Sequence, residues 1–104
     1  MNGHFIQYKD KNLQICYGTF IVTAELRQNG EWCTGTSSKI NYGQFAKPFG
    51  HLQTLNLSLS SGDWASIVHQ SADNNGVTEV TLAYSTPYSS RDFRIDYVAF
   101  GQIV

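Results

Sequence analysis

The side chains best placed to do chemistry in this chain are aromatic rings set beside turns and polar partners. Trp64 follows Asp63 at the end of a polar run, and Trp32 stands just after Asn29-Gly30. Tyr88 lies among Pro87, Ser89 and Ser90, with Arg91 and Asp92 next in the chain. An exposed ring offers a flat face to the C–H groups of a sugar, and planar hydrogen-bonding groups at its edge take the hydroxyls. Trp32, Asp63, Trp64, Tyr88, Arg91 and Asp92 are therefore the candidate ligand-binding residues, with Arg91 and Asp92 suited to a vicinal diol or a carboxylate. Each has a plainer role to weigh against this one. Tryptophan is usually largely buried. Tyr88 would equally suit a subunit interface, and Arg91 with Asp92 could be a surface ion pair of little energetic worth.

The other reactive residues give no constellation. His4, His51 and His69 are far apart and lack H-x-H or H-E-x-x-H spacing. No G-x-S-x-G occurs. Asp63 and Asp73 flank one expected strand, which would hold them roughly 30 Å apart, too far for a glycosidase pair. Asp92 and Asp96 are two pleats apart, with Arg91 and Arg94 at hand to neutralise them. Two cysteines do not make a zinc framework. Cys16 sits in an expected strand as a small hydrophobe. A bridge to Cys33 needs neighbouring strands and an oxidising compartment, and nothing implies the latter. No catalytic residue, metal or cofactor is assigned. His69 is expected as a satisfied core or interface histidine, and Asn74-Asn75 as turn chemistry.

The elements that must position these rings are strands. No helical period of useful length occurs, while turn signals recur at short intervals, as in all-β sandwiches and barrels. Residues 5–8 and 13–17 make an opening hairpin around the polar turn 9–12. Apolar positions change parity near Gly18, since Leu13, Ile15 and Tyr17 precede Phe20 and Val22, so a bulge or bend is expected there. Asn29-Gly30 fits a tight hairpin turn. Residues 34–38 read as loop, and 40–45 as a short strand stopped by Pro48. Leu55, Leu57 and Leu59 alternate cleanly toward the core. A strand over 64–70 carries Ala65, Ile67 and His69 on one face. Val80, Leu82 and Tyr84 point inward from 77–84, residues 85–91 form a polar loop, and 92–101 is the last strand. That strand is apolar on both faces near its end, because Phe93, Ile95 and Tyr97 alternate with Val98 and Phe100. Its second face calls for a cover, such as another subunit.

A chain of 104 residues forms one domain, 1–104. Charged residues are only 14%, against about 25% in ordinary soluble domains, and Thr, Ser, Asn, Gln and Gly take up the polar share. Net charge is −1 with no basic stripe, so phosphate-driven nucleic-acid binding is not expected. No run of 18 apolar residues exists to insert into a membrane. No signal peptide is evident, which implies synthesis in a cytoplasm or a fragment of a larger protein.

Residues 2–18 resemble the opening of C-terminal domains of phage and prophage tail fibres, which often run N-G-x-x-I-x-x-x-D-G-T-L-I-C-Y-G. Here Lys11-Asn12 replaces the usual Gly-Thr. Phe45-Ala46-Lys47-Pro48-Phe49 resembles the family's F-x-x-P/A-F segment. Tyr97-Val98-Ala99-Phe100-Gly101 resembles its closing W-I-A-I-G, with Tyr97 for Trp and Phe100 for Ile. The resemblance spans nearly the whole chain through individually short motifs. It implies a small antiparallel β-sandwich similar to the H-type lectins, assembled as a homotrimer at the distal tip of a longer fibre protein. It further implies a virion location, synthesis in the bacterial host cytoplasm, and non-catalytic attachment to host cell-surface carbohydrate. A structural trimerisation or capping domain, or a lectin-like module of another protein, is the alternative.

Overall fold

The computed structural model describes residues 3–37, 39–41, 43–60 and 65–104. Among them the chain is all-β apart from one short 3-10 turn. The strands are β1 (His4–Tyr8), β2 (Leu13–Asn29), β3 (Trp32–Thr36), β4 (Lys39–Asn41), β5 (His51–Leu59), β6 (Ser66–Ala72), β7 (Val77–Tyr84) and β8 (Tyr88–Gln102). Every pairing is antiparallel. The main path runs β5-β8-β2-β3-β7-β6, with β1 and β4 both paired to β2. Its two ends meet where Gln70 Nε2 donates to Leu55 O at 3.1 Å, so the sheet is nearly closed into a barrel. β2 and β8 hold it together. Their 17 and 15 residues set the long axis of a molecule measuring 49 × 22 × 20 Å.

The opening hairpin forms as expected, with pairs from His4↔Tyr17 to Tyr8↔Leu13. Its 3-10 turn, Lys9–Lys11, ends at Asn12 in the left-handed region, φ 51°, which asparagine enters more readily than most residues. The second turn falls one residue later than the sequence suggests. Asn29 pairs with Trp32, and Gly30 and Glu31 make the bend, with Gly30 alone at positive φ, 69°.

The expected parity switch at Gly18 does not occur. The β2–β8 register runs unbroken from Gln14↔Gly101 to Ala24↔Arg91 and slips only between Ala24 and Leu26. Gln14, Cys16, Phe20, Val22, Ala24 and Leu26 are all buried, so the even positions face inward throughout. A glutamine therefore occupies a core position, and Leu13, Ile15 and Tyr17 face out. Gln14 is tolerated because its polar atoms are matched. Nε2 donates to Lys47 O at 2.9 Å and Pro48 O at 3.2 Å, and Oε1 accepts from Gln7 Nε2 at 2.9 Å. A buried amide so satisfied escapes most of its desolvation cost.

Those bonds also fix the segment 43–50, which caps one end of the core. Residues 40–45 are not the strand expected. Strand pairing stops at Asn41, and Gln44 makes a single bridge to Gly76. Phe45, Ala46 and Phe49 turn inward instead. Phe45 packs edge-on against Phe49 at 5.2 Å and against Tyr97 at 5.6 Å, and Tyr97 meets Phe20 at 6.1 Å. The turn at 73–76 latches the cap. Asn75 O and Asn74 O accept from Phe45 N and Phe49 N, and Asn74 Oδ1 accepts from Leu52 N at 2.8 Å. Gly76 is required at this crossing, since a Cβ there would collide with Gly43 O.

Three further expectations change. Residues 34–36 belong to β3 rather than a loop, and β8 begins at Tyr88 rather than Asp92. A register shift between Ile67 and His69 breaks their common face. His69 is exposed and lies 3.6 Å from Glu79, not in the core. Cys16 and Cys33 are both buried and unbridged.

Candidate functional site

Trp32 opens β3 on the outer side of the sheet. Its neighbour Cys33 faces the core, and strand alternation turns Trp32 the other way. Its indole is 56% exposed, so it is not the core residue that tryptophan usually is. The pairs Thr34↔Ala83 and Ser66↔Ala83 bring β3, β7 and β6 side by side beneath it. The result is an open cleft of about 350 Å³ lined by Trp32, Thr34, Ser66, Val68 and Ala83. That volume lies in the roughly 300–1,000 Å³ range of small-ligand sites.

The lining carries no charge. The ring of Trp32 and the methyls of Val68 and Ala83 supply an apolar floor. The hydroxyls of Thr34 and Ser66 supply polar atoms, and Thr34 Oγ1 is oriented by accepting from Asn29 Nδ2 at 3.3 Å. Such an arrangement stacks on one face of a neutral, hydroxylated ring and hydrogen-bonds its edge.

The other sequence candidates are placed differently. Tyr88 stacks on Tyr84 at 5.4 Å with ring planes 10° apart, meets Phe93 edge-on at 6.2 Å, and carries the Arg91 guanidinium 5.0 Å from its ring centre. Its ring is engaged within the molecule rather than held out on a loop. Tyr84 pairs with Cys33 on the inward side, so Tyr88 and Trp32 lie on opposite sides of the sheet. Arg91 lies against Tyr88 and Phe93, while Asp92 Oδ1 accepts from Thr23 Oγ1 at 2.7 Å. Adjacent strand residues point to opposite faces, so these two groups do not form a joint grip. Asp63 and Trp64 lie outside the described residues.

Sequence reasoning missed two things. It did not find the partners of Trp32, because Thr34 was assigned to a loop and the pairing of β3 with β7 and of β7 with β6 joins residues distant in the chain. It also expected Leu13, Ile15 and Tyr17 to be followed by a change of apolar parity at Gly18, which does not occur. They instead form cross-strand rows on the outer face with β1 and β8: Ile6–Ile15–Phe100 and His4–Tyr17–Val98. Ile6, Tyr8, Tyr17 and Val98 on this face are all substantially exposed. The usable signal was the continuous even-numbered series Cys16, Phe20, Val22, Ala24 and Leu26, which outweighs one inward glutamine.

Among the described residues no three His, Cys, Asp or Glu side chains gather where they could hold a metal ion, and no helix is long and apolar enough to cross a membrane. No protein-family model, curated protein or solved structure matches the chain.

Proposed function

We propose that this chain is the receptor-binding domain of a phage or prophage tail fibre, recognising a host cell-surface glycan without catalysis. Trp32 is the stacking platform, and Thr34 and Ser66 serve the sugar hydroxyls. The single observation that carries this reading is the exposed indole in an uncharged, hydroxyl-bearing cleft. A tryptophan half open to water on a rigid sheet suits ligand contact, not core packing. The motifs add support: the opening segment and the closing segment form neighbouring stretches of one sheet, from Gln14↔Gly101 to Tyr17↔Val98.

The finer architecture belongs to the same proposal: an H-type-lectin-like sandwich assembled as a homotrimer at the virion's tail tip, joined to the rest of its fibre and made in the host cytoplasm. The part of the outer face built by Ile6, Tyr8, Leu13, Ile15 and Phe100 supports assembly, because contiguous half-exposed apolar side chains are the surface that a second copy would cover. Trimerisation would also turn weak single-site sugar binding into firm attachment. The same face supports the second reading, a structural trimerisation domain with no ligand site.

A glycan array screened with the wild-type domain and with Trp32→Ala separates the two. Binding by the wild type that falls about tenfold or more in the variant, the loss of one stacked ring, is the expected result. A wild-type domain that binds no glycan while remaining trimeric favours the structural reading.

A further inference from the structure

A second cleft lies on the outer face, roughly 40 Å along β2 from the Trp32 end. It is an open space of about 420 Å³ between the start of β1 and the middles of β2 and β8. The pair His4↔Tyr17 closes the β1–β2 ladder, and β4 first joins β2 at Ile21. Between those points no described strand flanks β2 on that side. Glycine at position 3 lets the start of β1 approach β2 and β8 closely at the cleft's edge. Gly3 sits at φ 138°, and a side chain there would collide with Tyr17 O and Tyr97 Oη.

Its lining differs from that of the Trp32 cleft. Tyr17 is 41% exposed and is braced by His4, whose ring stacks on it at 5.2 Å and 30°. The half-buried Asp96 accepts from Thr19 Oγ1 at 3.1 Å through Oδ1, which orients the carboxylate. Among the described residues Asp96 has no ion-pair partner: the ion pairs are Arg27–Glu25 and His69–Glu79. The register places Tyr17 opposite Val98 and Thr19 opposite Asp96. Tyr17 and Asp96 are thus diagonal neighbours, about 7–8 Å apart. A six-membered ring lying on Tyr17 would bring two adjacent hydroxyls to the carboxylate.

We propose that His4, Tyr17, Thr19 and Asp96 form a second saccharide subsite, in which Tyr17 stacks on one pyranose ring and Asp96 accepts hydrogen bonds from a vicinal diol. A carboxylate accepts two hydroxyl protons at once, and bonds to a charged acceptor are the stronger kind. The subsite shares with the preceding proposal only the class of ligand. Its residues, face and chemistry are separate.

The test is a titration of the amide spectrum of the whole domain with the methyl pyranosides of glucose, galactose and mannose, on the wild type, Tyr17→Ala, Asp96→Asn and Trp32→Ala. Shifts centred on residues 17–19 and 96–98 are expected with at least one sugar. Asp96→Asn and Tyr17→Ala should each weaken those shifts about tenfold, and Trp32→Ala should leave them unchanged. The near-isosteric Asp96→Asn keeps the Thr19 contact possible, and the variant's unliganded spectrum shows whether the fold survives. Shifts confined to the surroundings of Trp32 overturn the second subsite and leave glycan recognition standing. Shifts at residues 17–19 that survive both substitutions overturn it as well. The absence of shifts at either place overturns both proposals.

Discussion

The two outer faces of this sheet expose aromatic surface in opposite ways. On β1, β2 and β8 the exposed residues are contiguous. Beyond the His4–Tyr17 cleft, Ile6, Tyr8, Leu13, Ile15 and Phe100 form rows across three strands, and no single side chain dominates. On β3, β7 and β6 one indole stands out, with Val68 beside it and hydroxyls around. The first pattern gains most from a flat apolar partner, because burial is rewarded roughly in proportion to area. The second gains from a single ring that stacks and hydrogen-bonds at the same time. Exposure alone thus does not identify a binding site. The neighbours of each exposed ring decide what it can hold.

The comparison requires that both faces share one core, and the largest effect tests that. Phe20→Ala removes a fully buried ring that meets Tyr97. It should cost roughly 3–5 kcal/mol in denaturant unfolding, with tryptophan fluorescence and circular dichroism from the sheet falling in one transition. Two separated transitions would mean that the faces belong to independent units. Gln14→Leu comes next. It leaves Lys47 O and Pro48 O without their donor, at a cost of about 1–3 kcal/mol. Because these bonds anchor the 43–50 cap, faster amide exchange should be confined there and to the Asn74–Asn75 latch. Exchange that rises equally around Trp32 would show that the cap and the Trp32 face are coupled.

Much of this was legible in the sequence because turn chemistry is local. Asn29-Gly30, the 72–76 turn and the polar 9–12 segment marked hairpins that the fold contains, and the Leu55–Leu57–Leu59 alternation marked a core-facing strand. What stayed hidden depends on partners distant in the chain. Nothing near Gln14 announces that carbonyls 33 and 34 residues away will satisfy its amide, so a glutamine between leucine and isoleucine reads as the outward position. The bulge between Ile67 and His69 likewise exists only against β7, and it is what takes His69 off the inward face of Ile67. The exposure of Trp32 was left open by its type, and Tyr88 was misplaced because its polar neighbours in sequence are not its neighbours in space.

A smaller effect follows from two buried protons in the capped end. Burial pushes the Cys16 thiol up, opposed in part by bonds to Lys47 and Gln14. Burial likewise pushes the Tyr97 phenol up, against a bond to the Ala46 backbone. Both groups bind a proton more tightly in the folded chain than in the unfolded one. Their contribution to stability is therefore complete at neutral pH. It declines as pH rises past the ordinary thiol value near 9 and then the ordinary phenol value near 10. Denaturant midpoints measured across that window should fall, and Tyr97→Phe should flatten the upper part of the decline. A midpoint that is level in the wild type would show that neither proton is held more tightly on folding.

The smallest effect on the fold should have the largest effect on assembly. Ile15 projects from the outer face between Ile6 and Phe100, so Ile15→Lys places a charge in the middle of the apolar rows without touching the core. A surface substitution of this kind changes subunit stability by no more than about 0.5 kcal/mol. If this face joins three copies, the lysine must be buried without a counter-charge, and light scattering should show the trimer replaced by monomer. The lysine would act in the same way on any self-association through this face, so wild-type mass must be read first. A monomeric wild type would remove the assembly reading outright, and a trimer that survives the lysine would move its interface elsewhere. Neither result touches the Trp32 cleft, whose affinity for a single sugar should be the same in monomer and trimer. A shared loss of sugar binding on dissociation would instead place part of that site on a neighbouring subunit, and the contrast between the two faces would fail.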